Sequence, residues 1–219
     1  NHPHIVPLFD SGAAAGYLYY VMPFVRGETM RQRLEREGAL DISLAVRLAI
    51  EVCSALDYAH RDGVVHRDIK PENVLLSEGH ALVADFGIAY AVNQAAGTRL
   101  TTMGLALGTP AYMSPEQASG ETDIDSRSDQ YSLACVLFEL LTNAAPFHGP
   151  TAMAYFAQHV TQPAPSVTDL RPDVPVHVER ALLRALEKDP ADRFASTQAF
   201  AQALDVATVV VPTEDRGDS

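Results

Sequence analysis

Within twenty residues this chain places two aspartates, a lysine and an asparagine in a pattern able to handle a phosphate and a metal ion. The run is His66-Arg67-Asp68-Ile69-Lys70-Pro71-Glu72-Asn73, followed by Asp85-Phe86-Gly87. Asp68 is a candidate base, because a carboxylate accepts hydrogen bonds and stays anionic at neutral pH. Lys70 brings a point positive charge suited to phosphate oxygens. Asn73 and Asp85 offer hard oxygen donors. Mg²⁺ needs few of these from protein when phosphates complete its shell.

Positioning these groups requires short elements close to one another. Asp68 to Asn73 is a loop-sized interval, and Val74-Leu75-Leu76 after it reads as a strand. A second apolar run, Ala81 to Ala84, delivers Asp85 at its end. A turn at Ser77-Glu78-Gly79 would set the two strands side by side and bring Asn73 next to Asp85. An isolated aspartate in a loop is ordinarily a turn or cap residue, and that reading suits Asp41 and Asp62. The joint spacing of Asp68, Lys70, Asn73 and Asp85 sets them apart.

The rest of the chain reads as a mixed α+β domain. Ile5 to Phe9 and Tyr17 to Met22 are β-rich, separated by a hairpin signal from Asp10 to Gly16. Pro23 to Gly27 breaks regularity as a connector. Thr29 caps a short helix ending near Gly38, and Asp41 caps the next. There Leu44, Leu48, Val52 and Leu56 share one face, and the helix runs to about Arg61 with Gly63 ending it. Gly87 to Ser114 has few periodic apolar positions and reads as a long surface loop, of the kind that usually carries function. Ser126 to Leu141 reads as a deeply buried central helix, since Leu133 to Leu141 is apolar apart from Glu139. Helices are also expected at Ala152 to His159, Val176 to Glu187 and Thr197 to Ala207.

Composition bounds the functional classes. The 219 residues can form one large domain or two small ones, and 47% hydrophobic content supports a substantial core. The net charge of −12 argues against a general nucleic-acid binder. It fits basic peptide partners or a plain solvated acidic surface. Cys53 and Cys135 sit in apolar helical patterns and read as buried thiols. No stretch reaches the roughly 20 apolar residues needed to span a bilayer, and no signal peptide is visible. The chain starts at Asn1 rather than methionine, which reads as a piece of a longer protein. Residues 208 to 219 read as a polar tail.

Three further motifs follow in order: Gly108-Thr109-Pro110-Ala111-Tyr112-Met113-Ser114-Pro115-Glu116, Asp125-Ser126-Arg127-Ser128-Asp129-Gln130-Tyr131, and Asp189-Pro190-Ala191-Asp192-Arg193-Phe194. With the run at Asp68 and Asp85, they closely resemble the catalytic domain of a eukaryotic-type (Hanks-type) serine/threonine protein kinase of bacteria. The resemblance implies a kinase-like α+β fold. Residues 1 to 25 would be the last two strands of the N-lobe sheet and the hinge, and 26 to 207 a mainly helical C-lobe. In the family pattern the glycine-rich phosphate loop and the ATP-positioning lysine precede residue 1, and no Gly-x-Gly-x-x-Gly occurs here. The parent protein is therefore expected to be an active kinase and this piece alone to be inactive.

The resemblance also assigns roles. Asp68 orients the acceptor hydroxyl and takes its proton, Lys70 faces the transferring phosphoryl group, and Asn73 and Asp85 hold Mg²⁺ against ATP. Met22 is the gatekeeper, Pro23 offers its carbonyl, Val25 offers N–H and C=O to adenine, and Met30 and Leu75 floor the ring. Arg67 pairs with a phosphate on the activation loop, with Thr101 and Thr102 as acceptors, while Thr109 hydrogen-bonds Asp68 and Lys70. His66 packs under the catalytic loop beside Phe86 and, with Leu8, belongs to an apolar spine. Glu116 and Arg193 form a buried ion pair, and Asp129 accepts backbone N–H groups of the catalytic loop. Implied partners are ATP and proteins with Ser/Thr acceptors, in the cytoplasm, with any membrane tether outside these residues. A kinase-like scaffold that only binds partners, or a small-molecule phosphotransferase, are the alternative readings. Glu72 is a lone carboxylate on which a preference for basic substrate residues could rest.

Overall fold

The computed structural model describes residues 1–14, 17–86 and 110–205. Strands β1 (Asp10–Ala14) and β2 (Tyr17–Val21) form an antiparallel ladder running from Asp10 opposite Val21 to Ala14 opposite Tyr17. This corrects the expected hairpin. The first strand is built from Asp10 to Ala14, the residues read as the turn, whereas Ile5 makes only an isolated parallel bridge to Val83. Pro7 explains the difference, because a proline inside a run removes a ladder donor and demotes the segment.

A second sheet has the antiparallel order β3-β4-β5, from Glu28–Thr29, Val74–Ser77 and His80–Val83. Its hairpin turns at Glu78 and Gly79, with φ of 53° and 85°. Two left-handed residues match the right-handed twist of the flanking strands, which is why glycine is favoured there. Val74 pairs with Val83, so the ends of β4 and β5 that carry Asn73 and Ala84 meet.

Helix α1 (Met30–Glu37) starts in a capping box between Thr29 and Gln32, and α2 (Ile42–Arg61) starts where Asp41 accepts the N–H groups of Ser43 and Leu44. Caps of this kind contribute about 1 kcal/mol each. The inward face of α2 carries Ala45, Leu48, Ala49, Val52, Cys53 and Leu56. A short α3 (Pro115–Ala118) precedes the central α4 (Ser126–Thr142). Every α4 residue from Ser128 to Leu141 is buried. A helix enclosed on all sides must pair its polar residues internally. Gln130 does so by donating to the Phe194 carbonyl at 3.2 Å and accepting its N–H at 3.1 Å. Asn143 ends α4 in the left-handed conformation.

Helices α5 (Ala152–Thr161), α6 (Val167–Leu170), α7 (Val176–Ala185) and α8 (Thr197–Leu204) complete the described chain. The four-residue α6 is not visible as a pattern in the sequence. Both cysteines are buried and free, and burial pushes each thiol well above its ordinary pKa. Among the described residues no helix is long and apolar enough to cross a membrane.

Candidate active site

The site is a loop pinned from below by α4. Asp129, fully buried, accepts the N–H of His66 through Oδ2 at 2.8 Å and the N–H of Arg67 through Oδ1 at 2.7 Å. His60, in the last turn of α2, contacts the same Oδ2 at 2.7 Å through Nε2. Arg67 has φ +68°, a left-handed conformation costly for a residue with a side chain. Its carbonyl is held by the side-chain amide of Gln117, 2.8 Å away. A strained residue persists where its surroundings over-determine it, and Asp129 and Gln117 hold both ends of Arg67 here.

His66 joins the loop to β5. Its Nδ1 accepts the Asp68 N–H at 3.2 Å, which leaves the proton on Nε2 for donation to the Ala84 carbonyl at 2.8 Å. The ring meets Phe86 edge-on with centroids 4.8 Å apart. One buried imidazole thus fixes both the approach to Asp68 and the residue before Asp85. Leu8 and Phe86 share a small cleft with Val6, Pro7, Met22 and Asp85.

Asp68 is the hub of the polar groups. Its Oδ2 accepts from Lys70 Nζ at 2.6 Å and from Asn73 Nδ2 at 2.9 Å, and its carbonyl accepts from Asn73 Nδ2 at 2.8 Å. The amide nitrogen of Asn73 is committed to Asp68, so its Oδ1 is the atom left for other partners. The Ala84 N–H donates to the Asn73 carbonyl at 2.9 Å, tying β5 to the loop. Asp85 follows with φ +62° and an exposed side chain. Asp68, Lys70 and Asn73 are thus joined by hydrogen bonds, and the Ala84–Asn73 bond brings the end of β5, which leads into Asp85, to the same loop.

Glu116 and Arg193 form a two-pronged pair, with Nη1 to Oε1 and Nη2 to Oε2 both 2.9 Å. Ser128 donates to the same carboxylate, and Arg193 also donates to the carbonyls of Arg127, Glu187 and Lys188. Burial alone would raise the Glu116 carboxyl, but the hydrogen bonds from Arg193 and Ser128 outweigh it and hold the carboxyl below its ordinary value.

Of the residues expected around adenine, Met22 lines the cleft with Asp85. Met30, expected on the floor of the ring site, is fully buried in the core. With Leu34 it forms the inward face of α1. Thr101, Thr102 and Thr109 lie outside the described residues.

Sequence reading missed Arg31, Tyr112 and Glu139. Arg31 in α1 donates through Nε to Glu72 Oε1 at 2.9 Å and through Nη1 to Glu139 Oε1 at 2.8 Å. Its Nη2 donates to the Tyr112 hydroxyl. The one available signal was Glu139, a charge inside an otherwise apolar helix, which demands a buried partner.

Residues 1–204 match the protein kinase domain family. The serine/threonine-protein kinase pkn3 of Myxococcus xanthus is 41% identical over 93% of this chain and 39% of its own length. The probable serine/threonine-protein kinase PknB of Bifidobacterium longum is 41% identical over 91% of this chain and 30% of its own. This chain thus spans little more than a third of these relatives at most. The solved PknI kinase domain of Mycobacterium tuberculosis superposes with a TM-score of 0.73 at 33% identity, covering 93% of this chain and 72% of that one. Match and fold agree: the chain belongs to the protein kinase domain family, and the relatives it resembles are bacterial serine/threonine-protein kinases.

Proposed function

We propose that the protein transfers the γ-phosphoryl group of ATP to serine and threonine hydroxyls of other proteins. Family membership implies use of ATP and of a divalent metal ion in general. The observation that carries the reading is the double hold on Asp68, whose Oδ2 meets both Lys70 and Asn73, while no hydrogen bond among the described residues engages its other oxygen, the one that would meet an acceptor hydroxyl. Asp68 orients that hydroxyl and takes its proton as the bond to phosphorus forms. Lys70, already beside the carboxylate, meets the negative charge of the phosphoryl oxygens. Phosphoryl transfer asks for positioning and charge stabilisation above all, and these groups supply both.

Asn73 Oδ1 and the Asp85 carboxylate are the donors that would hold Mg²⁺, which neutralises phosphate charge when bound. The donor set fits. One carboxylate and one amide oxygen are few, as suits an ion that keeps phosphate and water ligands. Among the described residues there is no cluster of three or more acidic, histidine or cysteine side chains arranged to cage a metal. Met22, Pro23, Val25 and Leu75 serve the adenine end, with Met30 beneath them. Residues 1 to 25 act as the sheet remnant and hinge, and 26 to 207 as the C-lobe. Thr101 or Thr102 is a phosphorylation site read by Arg67, and Thr109 braces Asp68 and Lys70. A scaffold that merely binds partners has no physical need for Asp68, Lys70, Asn73 and Asp85 together.

The test uses the full-length protein with Mg·ATP and a panel of unstructured Ser/Thr-containing proteins. Transfer to serine and threonine is expected, falling by about 10²–10⁴ in Asp68→Asn. Absence of transfer to any protein overturns the reading.

A further inference from the structure

Arg31 draws four segments together around two carboxylates. Besides its bonds to Glu72 Oε1, Glu139 Oε1 and Tyr112, its Nη2 lies 3.4 Å from Glu139 Oε2. That oxygen also accepts the Tyr112 hydroxyl at 2.5 Å. The remaining oxygen, Glu72 Oε2, is closed to solvent and has no hydrogen-bond partner among the described residues. Arg31 or Tyr112 therefore occupies each of the other three oxygens, while the Glu72 side chain stays 39% exposed toward solvent.

The place matters as much as the pairing. Glu72 shares the Pro71–Asn73 turn with Asn73, whose amide touches the Asp68 carboxylate. A peptide advances about 3.3–3.6 Å per residue, so one whose hydroxyl reaches Asp68 passes Glu72 within a few positions of the acceptor. Two carboxylates so close to the path would ordinarily recruit a lysine or arginine of the substrate by charge-assisted hydrogen bonds.

We propose that Arg31 fills that acidic site from within, so the kinase does not select basic residues beside its acceptor, and Arg31 is a specificity-determining residue. The inference rests on the phosphotransfer reading above. A substrate guanidinium would have to displace one already held by Glu72, Glu139 and Tyr112, and the internal one loses no translational freedom on binding. Burial opposes the charge of Arg31, but its bonds to Glu139 and Glu72 outweigh that and hold it more firmly protonated than a free arginine. Occupancy is thus not titrated away. The −12 charge of the chain acts as a diffuse field, screened over about 8 Å at physiological salt, and gives no positional preference.

The test measures kcat/KM of the full-length protein, at physiological salt, for threonine peptides carrying Arg or Gln at each of three positions on either side. For the wild type the Arg/Gln ratio is expected within about twofold everywhere. Arg31→Ala should raise it about tenfold or more at one position, the scale of one hydrogen bond to a charged group. Adding Glu72→Gln should bring it back down. Arg31→Met, which keeps the side chain's stem, gives the same shift where Ala disturbs folding. A tenfold wild-type preference for Arg, or unchanged ratios in both Arg31 variants, overturns the proposal and leaves phosphotransfer standing. Transfer to no peptide at all overturns phosphotransfer itself and this inference with it.

Discussion

The carboxylate of Asp129 accepts the backbone N–H of Arg67 at 2.7 Å, so a buried side chain of α4 sets the backbone of the loop that carries Asp68. The consequence is directional. The N–H groups of His66 and Arg67 both find their acceptor in the Asp129 carboxylate, so the loop depends on a side chain of a helix that is closed without it. An asparagine at 129 would turn an NH₂ toward groups that are themselves donors. Asp129→Asn is expected to cost about 2–4 kcal/mol of stability, since each orphaned buried donor costs about 1–3 kcal/mol. Phosphotransfer should fall more than stability at temperatures where the variant remains folded. Urea unfolding beside kinetics checks this; unchanged kinetics in a destabilised protein would make Asp129 purely structural.

Lys70 offers the opposite contrast. Its bond to Asp68 is short, but the Asp68 side chain is 39% exposed, and a pair so open to water adds little to stability. Lys70→Met should therefore leave the unfolding midpoint nearly unchanged. It should lower kcat by about 10²–10³, the scale for removing one preorganised electrostatic group. A change confined to peptide KM would assign Lys70 to substrate binding instead.

For Glu116 and Arg193 burial reverses that balance. Arg193→Met strands a carboxylate in the core and should cost about 3–5 kcal/mol, while Glu116→Leu with Arg193→Met should cost less than the single change. The pH dependence has a definite sign. The Glu116 carboxyl is held below its ordinary value, so its contribution is full above about pH 4.5. It is lost as pH falls through the lowered folded value. Acid titration of stability should show this slope in the wild type and lose it in Arg193→Met.

These contrasts also mark what the sequence could reveal. The hydrogen-bonded grouping of Asp68, Lys70 and Asn73 was legible because they lie close along the chain on elements whose ends are signalled locally. Thr29 and Asp41 cap helices where capping chemistry places them, and the apolar run around Leu133 identified α4 as central. Arg31 was not legible. Its partners Glu72, Tyr112 and Glu139 lie 41, 81 and 108 residues away, and no local pattern distinguishes it from Arg33 or Arg36. The β1 error has another origin: a glycine-containing polar stretch satisfies turn and strand signals alike, and Pro7 decided between them.

Lys188 is a group whose charge the fold opposes. Its Nζ donates to the Tyr131 hydroxyl at 3.2 Å and lies 4.1 Å from the Phe147 ring centroid. Burial draws its pKa down to about 8, with the nearby Arg193 adding to the effect. A base lowered on folding makes the unfolded chain bind more protons between the two values. The Lys188 contribution to stability therefore rises as pH climbs from about 8 toward about 10.5, the same sign of slope as for Glu116 but in an alkaline window. Buried Cys53, Cys135, Tyr112 and Tyr131 are raised on folding and act in the opposite direction at alkaline pH, so only a difference isolates the lysine. Stability of the wild type minus that of Lys188→Met should increase across this window and be flat below it. A flat difference throughout would mean that the aromatic faces of Phe147 and Tyr131 compensate the amine for its lost water.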